Sequence, residues 1–418
     1  MKDTALYEQF LGLKTPWSVM RVDLSLADQR VVVEVVLDKG QVWADPTDAT
    51  KRAHVNGWSE RQWRHLDTCR FEILIKARVP QLKYSDGTVE ELSVPWAGRY
   101  SRVTSLMAGF VIKLLQACPT TQAVCTLTRL SWSTVNAIMV SAVARGMLRR
   151  TGEGIDYLGI DEKSSERGHT YASILTDIDR SRVLDLVPQR KLEAAVGLLE
   201  TLTPAQRRSV KAVAMDMWPA YMSATRQCMP QADIVHDKFH VSKYPGEAVD
   251  AVRKHEHRSL SQAGSSPLKG SKWAWLRKYP DGRSAEAVTF RALNQLNLKT
   301  SRAWCVKENF TQFWTYSYKG AAKRFFKAWS NNAMRSKLEP VKKVVKMLRR
   351  HEEGLLNFSQ HRISNACAEG FNSAIQLIKA NARGFRNFTN YRARILFHGG
   401  KLDSCLSGCL PGPLPVVG

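Results

Sequence analysis

Residues 17–95 alternate apolar and polar positions with a period of two, the spacing of half-buried strands. Alternation over 19–25 reaches an Ala27-Asp28-Gln29 turn and returns over 31–37. A second pair runs from Phe71, Ile73 and Ile75 through Ser85-Asp86-Gly87 to Leu92, Val94 and Trp96. Such turns between alternating runs predict hairpins, and with them a small β-rich module over 1–100. From Ser105 the period lengthens to three and four. Helices are predicted over 106–115 and 120–127, with a third from Ser133 that puts Val135, Ile138, Met139, Ala142 and Val143 on one face. Two short helices joined by Thr128-Arg129-Leu130 have the proportions of a helix-turn-helix over 101–150, whose second helix can enter a major groove; a plain helical connector would share the pattern.

Between 153 and 240 the pattern mixes. Apolar strands over 155–161, 171–176 and 182–187 are joined by short links and predict an antiparallel meander. A helix over 191–202, a strand over 210–215, a helix over 219–226 and a strand over 233–236 follow, which implies parallel pairing through crossovers. The order β-β-β-α-β-α-β is that of a ribonuclease H-like sheet. The expected class is therefore mixed α/β: a ribonuclease H-like catalytic core over 151–240 and 356–397, split by a basic helical insertion over 241–355. The helix-turn-helix and the β-rich module precede it, and a loose tail over 398–418 ends it. The aromatics of the insertion, among them Trp273, Trp275, Phe310, Phe313, Trp314, Phe326 and Trp329, are either core or stacking platforms, and core packing is the favoured reading.

Charge sharpens the picture. The chain has 62 Lys and Arg against 38 Asp and Glu, a net +24 that points to a polyanionic partner. The surplus is uneven. Counted along the sequence it is +6 over 1–150, −2 over 151–240 and +20 over 241–418. An acid-rich middle beside a basic stretch suits a reaction centre next to a surface that grips phosphates. No apolar run approaches 18 residues and no signal-like segment opens the chain, so a membrane partner is not expected and the cytoplasm is the expected location. The eight cysteines form no C-x-x-C pair and read as idle thiols.

Enzymes that cut or transfer DNA strands use carboxylates at strand ends and on a facing helix to hold two divalent ions, with magnesium the usual ion and manganese able to substitute. Asp161 closes the first strand of the meander and Asp216 the fourth. Asn365, Glu369 and Asn372 share a helical face at spacings of four and three. Asp161, Asp216 and Glu369 are thus the candidate ligands and catalytic groups. Asp237 is the rival acid, and His240, Asn365 and Asn372 are candidate supports; without metal, clustered carboxylates could not all stay ionised. For DNA, Thr134 and Asn136 are candidates for base edges. Arg145, Arg149, Arg150, Lys323, Arg324, Lys327, Arg383 and Arg386 are candidates for the backbone.

At these residues the sequence resembles a known family. Gly159-Ile160-Asp161-Glu162-Lys163-Ser164, Arg167-Gly168-His169-Thr170-Tyr171, Met215-Asp216-Met217-Trp218-Pro219-Ala220-Tyr221 and Asp237-Lys238-Phe239-His240-Val241 look like the DDE transposases of the ISL-three family of bacterial insertion sequences. So do Asn365-Ala366-Cys367-Ala368-Glu369-Gly370-Phe371-Asn372 and Ala382-Arg383-Gly384-Phe385-Arg386-Asn387. The resemblance implies that Asp161, Asp216 and Glu369 are the metal-binding triad. It also implies that double-stranded DNA, as element ends and target, is the partner, and that a homo-oligomer, a dimer in the synaptic complex, does the work in a bacterial cytoplasm. A nuclease or junction resolvase of the same fold, or a non-catalytic end-binding derivative, are the alternatives. The family commonly carries an N-terminal zinc module with paired cysteines. Here those positions read Ala44-Asp45-Pro46-Thr47-Asp48 and Lys83-Tyr84-Ser85-Asp86-Gly87, without thiols, so zinc is not expected.

Overall fold

In the structure, a computed structural model, the chain divides into two units: Met1–Arg149 with the chain from Leu402 on, and Arg150–Lys401. The structure describes residues 3–46, 48–164, 171–277, 284–296, 298–382, 384–385 and 387–403, and the side chains of all these except 49, 164, 285 and 367–369.

The first unit opens with α1 (Asp3–Leu11) and a sheet of β1 (Trp17–Ser25), β2 (Arg30–Leu37), β3 (Trp43–Asp45), β4 (Asp48–Arg64), β5 (Glu72–Lys83) and β6 (Val89–Glu91). The spatial order is β1-β2-β5-β4-β3, with β6 on β5. The hairpin at Asp28 forms as expected, Ser25 pairing with Arg30. The sequence reading missed β4, a 17-residue strand. Its polar half hides the alternation, because only one face is covered by the core around Trp17, Trp63 and Trp96. Three helices follow: α2 (Ser105–Ala117), α3 (Thr121–Thr128) and α4 (Trp132–Arg149). Each starts on a hydroxyl cap. Thr104 accepts from the Met107 amide, Thr120 from that of Ala123, and Ser131 from that of Thr134. Arg129, in the left-handed region at φ 55°, ends α3 and makes the tight turn.

The second unit is built on β7 (Tyr157–Ser164), β8 (Tyr171–Asp177) and β9 (Arg182–Pro188), then α5 (Leu192–Glu200), α6 (Pro204–Ser209), β10 (Ala212–Met215), α7 (Pro219–Cys228) and β11 (Asp233–His236). The sheet runs β11-β10-β7-β8-β9, with β7, β10 and β11 parallel and β7, β8 and β9 antiparallel. Alternation along β7 sends Leu158 and Ile160 into a core with α5 and α7, where Leu198, Met215 and Tyr221 meet them. Gly159 and Asp161 therefore face the other side.

On that side lie α8 (Lys238–Gln262), α9 (Lys272–Leu276), α10 (Ala285–Gln295), α11 (Lys299–Thr311), α12 (Lys319–Met334), α13 (Glu339–Arg350) and α14 (Glu352–His361), followed by α15 (Ala366–Asn381) and α16 (Phe388–Gly399). Trp275, Phe310, Phe313, Trp314, Phe326 and Trp329 are buried in their shared core, so most of the aromatics are packing, whereas Trp273 is exposed. Helix α14 returns the chain to the sheet. Asn357 donates to the Ile234 carbonyl, His361 meets Asp233, and Gly354 sits where an added Cβ would fall 2.5 Å from His236. Among the described residues no helix is long and apolar enough to cross a membrane.

Candidate active site

The parallel strands set the site. Ile160 pairs with Met215 and Met215 with His236, so Asp161, Asp216 and Asp237 stand level, one residue past those pairs; Asp216 and Asp237 follow the ends of β10 and β11, whereas Asp161, expected to close its strand, lies inside β7, which runs on to Ser164 paired with β8. Their surroundings then divide them. Asp237 is 1% exposed; its carboxylate accepts from the His240 amide at the start of α8 and from the Asn365 amide before α15. It is a joint between two helices and the sheet.

Asp161 is also buried, but among the described residues its oxygens accept from the Glu162 amide (2.8 Å) and from Asn372 Nδ2 (2.9 Å) on α15 alone. Burial pushes its carboxyl pKa up, against the pull of those hydrogen bonds. Asp216 is half-buried, with His240 Nδ1 3.4 Å from Oδ2. Burial would raise its pKa, but the His240 contact and charge outweigh it and hold it low, while Asp216 raises the imidazole to about 9.

Helix α15 is docked by two asparagines. Asn365 Nδ2 donates to the Ile160 carbonyl at 2.8 Å, close enough that a Cβ at Gly159 would fall 2.4 Å from its Oδ1. The glycine admits the helix. Position 369 lies in α15 between these two asparagines; its side chain is outside the described residues, as are Arg383 and Arg386. Sequence reading did not single out Arg190. Its guanidinium lies between Tyr171 and Trp218 and bonds Glu162, a cluster assembled from three segments with no spacing signal.

The expected DNA residues fare unequally. In the first unit Thr134, Ala137 and Arg145 of α4 line an open hollow of about 550 Å³ with Arg99, Tyr100 and Arg102. Asn136 is half-buried on the same helix. Arg149 is paired with Asp403. In the second unit Lys323, Arg324 and Lys327 are exposed on α12. Arg150 is a correction: it is buried and donates to the carbonyls of Val183, Leu184 and Gly400, so it holds the second unit together rather than facing DNA.

Level carboxylates on a mixed sheet, with three helices of helix-turn-helix proportions in the same chain, suit an enzyme that works on DNA. The comparisons give the particular family. A family profile described as "Transposase" matches residues 158–395. The helix-turn-helix domain of transposase family ISL3 matches 92–143. The zinc-finger of transposase IS204/IS1001/IS1096/IS1165 matches 41–86. The chain is 31% identical over 295 residues to the transposase for insertion sequence element IS1001 of Bordetella parapertussis, covering 70% of this chain and 72% of that one. It is 28% identical over 357 residues to the transposase for IS1557 of Mycobacterium tuberculosis (strain CDC 1551 / Oshkosh), covering 78% and 79%. The chain belongs to the DDE transposases of the ISL3 family. It is a DNA transposase with a DNA-binding helix-turn-helix.

Membership implies a divalent metal in the catalytic unit, and the residues there fit one. Asp161 and Asp216 offer hard oxygen ligands, and Asn372 Oδ1, beside Asp161, is buried without a hydrogen-bond partner. Among the described residues no three His, Cys, Asp or Glu side chains gather to hold an ion. The zinc implied by the matched N-terminal module fits poorly. The two turns that would carry thiols are instead tied by Asp45, whose buried carboxylate accepts from the Ser85 amide at 2.6 Å. Elemental analysis of the full-length protein should therefore give less than one zinc per chain, and chelation should leave the melting of the first unit unchanged. Asp45→Ala should lower that transition by about 0.5–1.5 kcal/mol or somewhat more, the worth of a partly buried hydrogen bond to a charged acceptor. Stoichiometric zinc, released with unfolding, would contradict this.

Proposed function

We propose that the second unit is a ribonuclease H-like core in which Asp161, Asp216 and Glu369 hold two magnesium ions, with manganese able to substitute. We assign the chain to binding the terminal inverted repeats of its element, hydrolysing phosphodiesters there to free 3′-hydroxyls, and directing those hydroxyls into target DNA, as a dimer in the synaptic complex. The observation that carries this reading is the register of Ile160 with Met215, which sets Asp161 and Asp216 level on adjacent parallel strands. Bound ions would neutralise the phosphate and lower the pKa of the attacking oxygen. The protein's own groups hold the geometry: Asn372 orients Asp161, His240 orients Asp216, and Asp237 fixes the starts of the two helices that present them.

A strand-transfer assay on pre-cut ends tests the reading. Joined products that vanish on chelation, with end binding retained, support it; hydrolysis without joining would favour a nuclease of the same fold.

DNA is held in two ways on this account. Thr134, Asn136 and Arg145 on α4 read the ends, and the exposed cations of α12 track phosphates. Neutralising Lys323, Arg324 and Lys327 should weaken all duplexes alike and reduce the slope of log affinity against log salt by about 0.9 per lost contact. Asn136→Ala should instead narrow the gap between end and scrambled duplexes by about 1–3 kcal/mol. Competition binding across a salt series measures both; an unchanged slope with lost preference would reverse the assignment.

A further inference from the structure

The opposite face of the sheet that carries Asp161 holds a second arrangement. Alternation turns Glu162 away from Asp161, and Glu162 accepts from Arg190 Nη1 at 2.8 Å. The Arg190 guanidinium carbon lies over two rings, 4.3 Å from the Tyr171 centroid and 4.5 Å from that of Trp218. Trp218 Nε1 donates to the Arg190 carbonyl, which fixes the ring to the same segment. Trp218 follows Asp216 by two residues and caps α7. Arg190 therefore hangs from both acid-bearing strands, one through Glu162 and the other through Trp218.

Such a cluster does nothing obvious for the fold. Arg190 and Trp218 remain 35% and 37% exposed and border an open hollow of about 710 Å³ with Lys191 and Leu192. Among the described residues the side-chain hydrogen bond of Arg190 engages Nη1 with Glu162, which leaves the Nε and Nη2 donors of a fork held in place, and such a planar fork matches the oxygens of a phosphate. With the ring faces toward Arg190 already filled, a stacked base is the weaker fit.

We propose that Arg190, clamped by Tyr171 and Trp218 and oriented by Glu162, binds a backbone phosphate of the strand being processed, close to the scissile one. The inference rests on the reading of Asp161 and Asp216 as the reacting centre. Glu162 adjoins Asp161 on β7 but turns to the other face, so the contacted phosphate is a neighbour of the scissile one rather than the scissile phosphate itself. Arg190 is a positioning residue on this account: it sets where along the strand the bond meets the carboxylates.

The test uses the full-length protein and pre-cut end duplexes in calcium, which supports binding without turnover. Single methylphosphonates, which remove one phosphate charge, are placed in turn around the cut. For the wild type, one position near the cut should weaken binding about tenfold. Arg190→Ala should bind the unmodified duplex about tenfold more weakly and lose that position's effect alone, and Arg190→Lys should recover part of it. Trp218→Leu should blunt the same position, because the fork is no longer held. Cleavage mapped in magnesium should show Arg190→Ala cutting at scattered neighbouring bonds. Identical interference profiles for wild type and Arg190→Ala would overturn the clamp. So would loss of binding in Trp218→Leu that ignores the methylphosphonates, which would mark a base-stacking site. Asp161→Asn serves as the reference: if it cleaves like the wild type the active-site reading fails, whatever the profiles show. A thermal melt of each variant separates lost contact from lost fold.

Discussion

Changing Asp161 or Asp216 to Asn is expected to reduce cleavage and joining by about a thousandfold or more, since each removes a ligand whose ion contributes several kcal/mol to the transition state. Binding of end duplexes should persist. Stability distinguishes the two variants. Burial raises the Asp161 pKa, so in metal-free protein its charged form is worse placed in the fold than in the unfolded chain; stability falls as pH rises through that carboxyl's titration. Asp161→Asn should accordingly melt higher than the wild type at neutral pH in chelator. Asp216 is the reverse case. His240 holds its pKa low against the pull of burial, so its charge adds stability above the ordinary carboxylate range, lost as pH falls through the folded value. Asp216→Asn should melt lower and let the His240 pKa drop from about 9 toward its ordinary value. Cleavage and melting on the same preparations check all of this; wild-type cleavage by either variant would remove that residue from the site.

The second large effect belongs to Asp237. Two amides depend on its carboxylate, a buried one of Asn365 and a partly buried one of His240, and leaving both without an acceptor costs about 2–4 kcal/mol. Asp237→Ala should therefore melt well below the wild type and lose cleavage, because the starts of α8 and α15 shift together. Asp237→Asn keeps one acceptor oxygen and should recover part of both. The contrast with Asp161→Asn, dead but no less stable, separates a joint from a ligand. A stable, folded and inactive Asp237→Ala would restore this residue as a rival to Asp216.

Much of this was legible in the sequence because the signals are local. The meander, the two crossovers and the change of period at Ser105 each follow from spacing within about a dozen residues, and the structure has them with shifts of a few residues. Asp216 was legible as a strand-end acid, whereas Asp161, read the same way, lies inside β7, because pairing with β8 carries that strand on through polar residues to Ser164. What placed them together was the register of β7 with β10, which pairs residues 55 positions apart and leaves no trace in either segment alone. The separation of Asp216 from Asp237 was illegible for the same reason: both end apolar strands, and only the asparagine arriving from position 365 shows which is sealed. Arg150 misled because a basic residue ending a helix reads as solvated, whereas three carbonyls from β9 and the end of α16 enclose it. The Arg190 cluster combines Tyr171, Arg190 and Trp218 across two turns, and no single-sequence pattern predicts it.

The central claim is that the level carboxylates hold the ions that do the chemistry, and counting bound manganese by paramagnetic resonance on the complex with a pre-cut end duplex addresses it most directly. The account predicts about two ions per active site for the wild type, and fewer for Asp161→Asn, Asp216→Asn and Glu369→Gln, with duplex still bound and Asp237→Asn close to the wild type. Unchanged ion number and affinity in the first three variants would contradict it.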